Sequence, residues 1–281
     1  MKLIKGLLIF FLMLTIILTI VSGIQEKETN GSAPLINSSL NPLIVSCDFT
    51  RKDLLEGLTA YDTEDGYITK NIIPGKLSPF TEKGVSEIEY YVYDSDDNCG
   101  RYKREVVFSD YSSPKVGLSE PLVFYAKNAS YSDLINSIYG SDSLDGEVNH
   151  IRVNSSDIDY AKAGDYTVSI SLINSFGDTA TYDLPVHIIK RTYGGMEIRL
   201  NENLIFIKSD EQFDPEDFVK EVEFSQTEEL VPQKDWNIEI ESNVDTSEAG
   251  IYEVRYMIKK DKDEIYGSAS GITWLTVIVT D

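Results

Sequence analysis

The chain has 281 residues, of which 25 are Lys or Arg and 47 are Asp or Glu, so its formal net charge is −22. This charge argues against nucleic acid or an anionic membrane surface as a partner held by a basic face. With 2 cysteines and 2 histidines, the chain cannot be a disulfide-dense scaffold and has little material for a histidine-based metal or catalytic centre. A hydrophobic content of 42% is too high for a disordered chain.

The chain begins with a positively charged and then strongly apolar segment. Lys2 and Lys5 precede an apolar run over residues 6–24. Such a run is typical of a secretory signal, and as a helix it is also nearly long enough to span a bilayer. We therefore expect residues 1–24 to be a signal peptide or a transmembrane anchor, and both place the remaining chain outside the cytoplasm. Residues 25–41, rich in Ser, Asn, Gly and Pro, are predicted to be a flexible linker.

The chain contains an internal repeat. Residues 81–108 align without a gap on residues 161–188, and a third, shorter copy starts at Gly250. After Gly84, Gly164 and Gly250, apolar or aromatic residues alternate with mostly polar ones. This period of two predicts, in each copy, a strand with one buried face.

The turns between the predicted strands repeat as well. Asp65-Gly66 recurs as Asp145-Gly146, and such a pair suits a tight turn because glycine adopts positive φ without strain. The pattern Asp-x-x-x-Ala-Gly-x-Tyr, which ends at Tyr166 and at Tyr252, predicts a corner whose tyrosine hydroxyl binds nearby backbone. Short helical turns are expected at 51–58, 131–139 and 214–222. Many short strands without a long helical period indicate all-β sandwiches, with boundaries near 109–113 and 191–195.

The first copy carries the most specific motif. It reads Leu58-Thr-Ala-Tyr-Asp-Thr-Glu-Asp-Gly-Tyr-Ile-Thr69, followed by Tyr90-Tyr-Val-Tyr-Asp-Ser-Asp-Asp-Asn98. This series resembles the bacterial immunoglobulin-like repeat of cell-surface proteins and of some pesticidal crystal proteins, and departs from it at Ser86 and Asp97. The resemblance implies an all-β fold of tandem immunoglobulin-like β-sandwich domains over 42–110, 113–190 and 194–281, after an N-terminal hydrophobic helix. It implies extracellular display rather than one activity.

No pattern of residues indicates catalysis. His150 and His187 lack a partner motif, and there is neither a nucleophile elbow nor a phosphate-binding glycine loop. We therefore expect that the protein is not an enzyme.

Calcium is the one cofactor for which the sequence offers candidates. Asp94, Asp96 and Asn98 have the spacing of calcium ligands, but Cys99 follows where the sharp turn needs glycine. A plain hairpin turn is the better interpretation of this loop. For the acidic turn that follows the predicted strand at 58–62, a plain capping turn is the better interpretation. The weak calcium candidates are Asp62, Glu64, Asp65, Asp94 and Asp96.

The chain's 2 cysteines are predicted to form a disulfide, with two unpaired thiols as the alternative. In a sandwich of this type the opening and closing strands run side by side. Cys47 lies at the predicted opening strand and Cys99 precedes the closing one. Since an exported protein keeps its disulfides, the two are expected to pair inside the first domain.

The predicted function is that of a non-enzymatic cell-surface or secreted repeat protein. It would act as a spacer, or as an adhesion or interaction module for a protein or a glycan, with the membrane contacted through the N-terminal segment. Two alternatives stay open. One is a carbohydrate-binding accessory protein that uses exposed aromatics such as Tyr91, Tyr93 and Tyr111, and the other is a calcium-rigidified adhesin.

Overall fold

The structure is a computed structural model that describes residues 10–21, 32–148, 150–190, 195–263 and 267–281. Residues 10–21 are helical (α1). Within these ranges no helix is both long enough and apolar enough to cross a membrane. The rest of the predicted signal or anchor, 1–9 and 22–24, and the linker residues 25–31 lie outside the described residues.

The chain divides into two compact units, Met1–Tyr111 and Ser112–Asp281. The first unit holds one sandwich of two sheets, which enclose Ile36, Ala60, Ile88, Tyr90 and Val106, all at most 3% exposed. Its three-stranded sheet has the order β1-β3-β4 and its four-stranded sheet the order β2-β7-β6-β5. The strands are β1 (Leu35–Ser38), β2 (Leu43–Val45), β3 (Leu58–Asp62), β4 (Gly66–Tyr67), β5 (Ile73–Leu77), β6 (Val85–Tyr93) and β7 (Cys99–Phe108), with 3-10 turns at Asp53–Leu55 and Thr69–Asn71.

The prediction of a flexible linker up to residue 41 is wrong for its second half. β1 pairs antiparallel with β3 from Leu35 to Ser38. Ile36 is buried at 3% exposure, whereas its neighbours Leu35 and Asn37 are exposed. The polar composition of this segment concealed a short edge strand, because a single buried side chain is enough to hold it.

The second unit contains two further sandwiches. The first of them has sheets β11-β10-β8 and β12-β13-β14-β9, and the other has sheets β15-β17-β18 and β16-β21-β20-β19. Their elements are β8 (Lys115–Leu118), β9 (Val123–Tyr125), α2 (Tyr131–Asn136), β10 (Ile138–Asp142), β11 (Gly146–Val148), β12 (His150–Ser156), β13 (Gly164–Ile173), β14 (Thr179–Ile189), β15 (Met196–Leu200), β16 (Leu204–Lys208), β17 (Val219–Phe224), β18 (Glu229–Leu230), β19 (Ile238–Ser242), β20 (Gly250–Asp263) and β21 (Gly267–Thr280), with 3-10 turns at Pro215–Phe218 and Gln233–Asp235.

The all-β prediction is confirmed, and so is the period of two after each repeated glycine. The positions four, six and eight residues past the glycine are almost completely buried in every copy: Ile88, Tyr90 and Val92, then Val168, Ile170 and Leu172, then Val254, Tyr256 and Ile258. The three expected helical turns are present at Asp53–Leu55, Tyr131–Asn136 and Pro215–Phe218.

The corner tyrosines also behave as expected. The Tyr166 hydroxyl donates to the carbonyl oxygen of Lys162 at 2.9 Å, and the Tyr252 hydroxyl donates to that of Glu248 at 2.9 Å. In the first sandwich Ser86 occupies the tyrosine's position, and its hydroxyl donates to the carbonyl oxygen of Ser78 at 2.6 Å. In each sandwich, the side chain two residues past the repeated glycine thus ties its hairpin to a backbone carbonyl group that precedes it in the sequence.

In each sandwich the opening strand of the larger sheet runs parallel to the closing strand. β2 pairs with β7, β9 with β14, and β16 with β21, all in parallel. This arrangement was expected from the family resemblance for the first sandwich.

The first sandwich buries an arginine that the sequence analysis missed. Arg104 lies on β7 opposite Ile88 and is 2% exposed. Its guanidinium donates to the carbonyl oxygens of Leu54 at 2.7 Å and Glu56 at 2.7 Å, and to the Tyr90 hydroxyl at 2.8 Å. Further bonds reach the end of β1 and the chain just after it, so one side chain ties the opening segment and the Asp53–Leu55 turn to the core.

Candidate functional site

The second unit brings together chemically active side chains from two sandwiches. On β14 Val186 and Ile188 point into the core at 0% and 2% exposure, so His187 points out of the opposite face of the sheet. Its register partner across the strand pair is Asp165 on β13. The side chain facing it from the third sandwich is Glu253 on β20. We call His187, Asp165, Glu253 and Trp274 the junction cluster.

In the junction cluster, carboxylates hold the His187 ring at both of its nitrogens, and we call this contact the clamp. His187 Nδ1 lies 2.8 Å from Asp165 Oδ1, and His187 Nε2 lies 2.7 Å from Glu253 Oε1. The imidazole stacks on the indole of Trp274, with ring centroids 4.0 Å apart and an interplanar angle of 11°. The residue is only 6% exposed. Every polar atom and one face of this ring are therefore occupied by other side chains.

The contacts determine the charge of the histidine. A neutral imidazole donates through one nitrogen only, so its other lone pair would face a carboxylate oxygen. Burial alone would lower the pKa of His187, but the hydrogen bonds and negative charges of Glu253 and Asp165 outweigh it and raise the pKa above 6.5. Stacking on Trp274 favours the same cationic form. These contacts favour the protonated form of His187, and the bond to Glu253 links the second sandwich to the third.

The remaining junction is a mixture of apolar and polar contacts. Leu204 and Ile278 of the third sandwich belong to the same buried cluster as the core of the second. The Asn203 amide donates to the carbonyl oxygen of Ser119 at 3.0 Å, and the Lys115 ammonium lies 5.2 Å from the centroid of the Phe206 ring. The two sandwiches share a core, which explains why residues 112–281 form one unit in spite of the predicted boundary near 191–195.

The second unit has two cavities, one of which is lined by the junction cluster. One, of about 510 Å³, opens beside His187 and is lined by acidic groups, with Arg255 paired to Glu241 at its edge. The other, of about 780 Å³, lies between β9 and β15 and includes Tyr125, Glu197 and Arg199 in its lining. The Arg199 guanidinium is held by Glu223 at 2.8 Å, so its charge is already balanced within the wall.

The calcium candidates form hydrogen bonds within the turns. Asp62 Oδ1 accepts from the backbone N–H of Glu64 at 2.7 Å and of Asp65 at 3.0 Å. Bonds from the backbone N–H groups of Asp65 and Glu64 lower the pKa of Asp62. Asp94 Oδ1 accepts from the backbone N–H of Asp96 at 3.0 Å. Among the described residues there is no group of three or more His, Cys, Asp or Glu side chains placed to hold a metal ion. Weak calcium binding therefore remains a prediction.

The two acidic turns of the first sandwich are joined to each other. Asp65 accepts hydrogen bonds from the backbone N–H of Ser95 at 2.6 Å and from its hydroxyl at 2.9 Å. The second sandwich repeats this arrangement, with Asp145 accepting from Ser175. The repeated acidic motif thus connects the short hairpin of one sheet to the long hairpin of the other, a structural role that the sequence shows only as self-similarity.

The predicted disulfide between Cys47 and Cys99 is wrong: these two residues, both described, are not bonded to each other. The opening and closing strands do run side by side, but β2 pairs with the end of β7, with Val45 opposite Phe108. Cys99 lies at the start of β7, nine residues earlier, or about 30 Å along an extended strand. The backbone N–H of Cys47 instead donates to Asp110 Oδ1 at 2.8 Å.

The tyrosines expected to be exposed differ in their surroundings. Tyr93 is 47% exposed. The Tyr91 hydroxyl donates to a carboxylate oxygen of Glu89 at 2.5 Å, and Tyr111 packs edge-on against Phe80 at 4.8 Å between centroids. Other large apolar side chains of this unit are more exposed than these three tyrosines, among them Leu35 and Tyr67.

Comparison with known proteins finds one informative relative. No family model matches the chain. The chain is 28% identical over 243 residues to pesticidal crystal protein Cry22Aa of Bacillus thuringiensis. The match covers 84% of this chain and 32% of that protein, so this chain spans about a third of the length of the relative.

Similarity to solved structures is weaker. The CBM51-2 and INT domains of Clostridium perfringens ZmpB, solved with GlcNAc, give a TM-score of 0.23 at 23% identity over 53% of this chain and 26% of that one. The protocadherin GammaB4 extracellular domain gives a TM-score of 0.21 at 9% identity over 89% of this chain and 51% of that one. Scores this low do not establish a common fold.

Proposed function

We propose that the chain is a non-enzymatic, extracytoplasmic arm of tandem immunoglobulin-like β-sandwiches that holds an interaction surface for a protein or a glycan. The apolar segment within residues 1–24 would export it, or anchor it in the membrane. Three features support this proposal: the repeated sandwich architecture, the strongly acidic composition, and the relationship to about a third of a pesticidal crystal protein.

The observation that carries the proposal is the clamp between the second and third sandwiches. An arm that positions a surface must resist bending at its joints, and a shared core with a buried charged contact provides that resistance. Leu204 and Ile278 supply the shared core, and His187 with Glu253 supplies the contact. Partly buried pairs of this kind resist separation because each charge would be left without its partner.

The chemistry of the same cluster supports a non-enzymatic role. A histidine that acts as a general base needs a free nitrogen at the working pH. Burial lowers the pKa of His187, but the two carboxylates that face its nitrogens outweigh burial and raise the pKa. The carboxylates Asp62, Asp65 and Asp94 likewise accept hydrogen bonds from backbone N–H groups in turns.

We predict that the second and third sandwiches tumble as one body. In the full chain, backbone ¹⁵N relaxation of β13–β14 and of β20–β21 should fit one common diffusion tensor. The double substitution His187→Ala/Ile278→Ser should give each sandwich its own, shorter correlation time. The exposed pair Tyr139→Ala/Glu147→Ser, in the second sandwich, is the control and should change neither value. Two independent tensors in the unmodified chain would contradict the rigid arm.

We also predict that all three sandwiches face the outside of the cell. When the full chain, including residues 1–24, is produced in a bacterial host, protease added to intact cells or protoplasts should degrade the sandwiches, because Lys2 and Lys5 favour the cytoplasmic side. A cytoplasmic marker protein must stay intact in the same sample. Full protection of the sandwiches under conditions that degrade a known surface protein would show that this topology is wrong.

A further inference from the structure

The outer face of the first sandwich carries an apolar row. Tyr61 on β3 lies opposite Leu35 on β1 and opposite Tyr67 on β4, so the three side chains form one line across the sheet. Leu35 is 63% exposed, Tyr61 46% and Tyr67 83%. The two tyrosine rings meet edge to face, with centroids 5.3 Å apart and an interplanar angle of 70°. We call Leu35, Tyr61 and Tyr67 the tyrosine row.

The other sandwiches show that the fold does not require this row. In the second sandwich Ser141 lies opposite Lys115 and Glu147, at the same register positions. In the third, Glu223 lies opposite Glu197 and opposite Leu230 on the corresponding sheet. All of these positions except Leu230 are polar or charged, and both sheets form. An exposed apolar row that the architecture does not need marks an interaction surface.

We propose that the tyrosine row is a docking surface for a neutral saccharide. Tyrosine suits this partner because its ring offers a flat apolar face to the C–H side of a sugar, while its hydroxyl can bond a sugar hydroxyl. Asn37 and Thr59, the next register pair on the same exposed face, add an amide and a hydroxyl beside the row. Two strand spacings give a row of about 10 Å, roughly the length of a disaccharide.

The negative charge of the protein disfavours anionic partners of the tyrosine row. Glu64 and Asp65 lie in the turn that joins the two strands of the tyrosines, and the whole chain carries a net charge of −22. This field disfavours uronic-acid or sialylated glycans and anionic lipid surfaces. The proposal names the class of partner, a neutral saccharide, and the location of the interaction surface on the proposed arm. It rests on the proposed interaction role, whereas the rigidity and topology of the arm are measured independently of it.

The test replaces the row by the residues of the second sandwich. Tyr61→Ser/Tyr67→Glu introduces the side chains that Ser141 and Glu147 supply at the matching positions, so the melting temperature should stay within a few degrees of the unmodified chain. Tyr93→Ser is the matched control, since Tyr93 is as exposed as Tyr61 (47% against 46%) but lies on the other sheet. Binding of the full chain is measured on an array of neutral and anionic oligosaccharides.

The expected result is retention on neutral oligosaccharides that falls at least about tenfold in Tyr61→Ser/Tyr67→Glu and is unchanged in Tyr93→Ser. Leu35→Lys, which copies Lys115, should weaken binding in the same direction. Equal binding by the double variant, retention only on anionic glycans, or no retention on any neutral glycan would overturn the proposal. The proposal would also be overturned if the unmodified chain self-associates in sedimentation and the double variant does not. The same holds if the unmodified chain binds phosphatidylcholine vesicles and the double variant does not.

Discussion

Replacing Arg104 with leucine is expected to destabilise the first sandwich by about 3–5 kcal/mol, although leucine fills the matching core position in the other two sandwiches. Arg104 pairs with Ile88 as Leu184 pairs with Val168. An apolar side chain therefore fits the position itself. The loss arises from what the guanidinium holds rather than from the space that it fills.

Arg104 donates hydrogen bonds to oxygen atoms from two separate segments of the chain. Its bonds reach the carbonyl oxygens of Leu40 at 3.3 Å, Leu54 at 2.7 Å and Glu56 at 2.7 Å, and the Ser38 hydroxyl at 3.1 Å. Leucine removes all of these bonds, and a buried acceptor that loses its donor costs about 1–3 kcal/mol. The carbonyl oxygens of Leu54 and Leu40 each keep one further donor, the hydroxyls of Tyr90 and Ser38. Lysine keeps the charge but lacks the planar guanidinium that reaches several acceptors at once. Arg104→Lys should therefore also destabilise the first sandwich.

The measurement must report on the first unit alone. Both tryptophans, Trp236 and Trp274, lie in the second unit, so tryptophan fluorescence does not follow unfolding of the first. Hydrogen exchange of peptides from β6 and β7 in rising denaturant gives the local free energy of unfolding. Lys103→Leu, an exposed neighbour on the same strand, is the control and should have a small effect. An unchanged midpoint for Arg104→Leu would show that the hydrogen bonds of the arginine contribute little.

Raising the pH is expected to loosen the clamp between the second and third sandwiches. The folded-state pKa of His187 lies above 6.5, the value that an unfolded chain would show. The stabilisation is therefore fully present below about pH 6.5 and is lost as the pH rises through the folded pKa. At about pH 6, His187→Gln should lower the free energy of unfolding of the second unit by about 1–3 kcal/mol, and by less at about pH 9.

The two carboxylates of the cluster should not contribute equally. The Glu253 side chain is 23% exposed, whereas that of Asp165 is 87% exposed and faces solvent that screens it. Glu253→Gln should accordingly lower the pKa of His187 more than Asp165→Asn does. Further charges face this region from the neighbouring strands and loops and modulate both effects: Asp157, Glu241 and Arg255.

A proton NMR titration of the imidazole signals tests this prediction directly. The chain has 2 histidines, and His150→Asn assigns the remaining signal to His187. Denaturation at both pH values, followed through Trp274, which stacks on the imidazole, gives the stability of the same contact. A folded-state pKa of His187 at or below 6.5 would contradict the clamp. So would a His187→Gln variant that loses more stability at about pH 9 than at about pH 6.

Local sequence patterns predicted much of the fold because they record local physics. The alternation after Gly164 predicted the buried positions of β13, and the corner motif predicted the bond from the Tyr166 hydroxyl to Lys162. Each of these features depends on residues close in sequence or on one face of one strand. The turn motif at Asp65-Gly66 belongs to the same class, and Gly66 adopts a positive φ of 74°.

The candidate site could not be predicted in this way, because its members come from different hairpins. Glu253 is 66 residues from His187 in sequence, and Trp274 is on yet another strand. No local spacing encodes how two sheets pack face to face. The failed disulfide has a similar cause: the family resemblance correctly implied that the opening and closing strands are neighbours, but the register that separates Cys47 from Cys99 depends on tertiary packing.

The parallel pairing of the opening and closing strands has a mechanical consequence. Two parallel strands run in the same direction, so the chain enters each sandwich at one pole and leaves at the opposite pole. Tension along the chain then loads the hydrogen bonds of β2 with β7, of β9 with β14 and of β16 with β21 in shear, all together, rather than opening them one after another from an end. Leu204–Lys208, the longest of the three opening strands, is expected to make the third sandwich the most resistant to extension. The shorter strands Leu43–Val45 and Val123–Tyr125 should let the first and second sandwiches yield sooner.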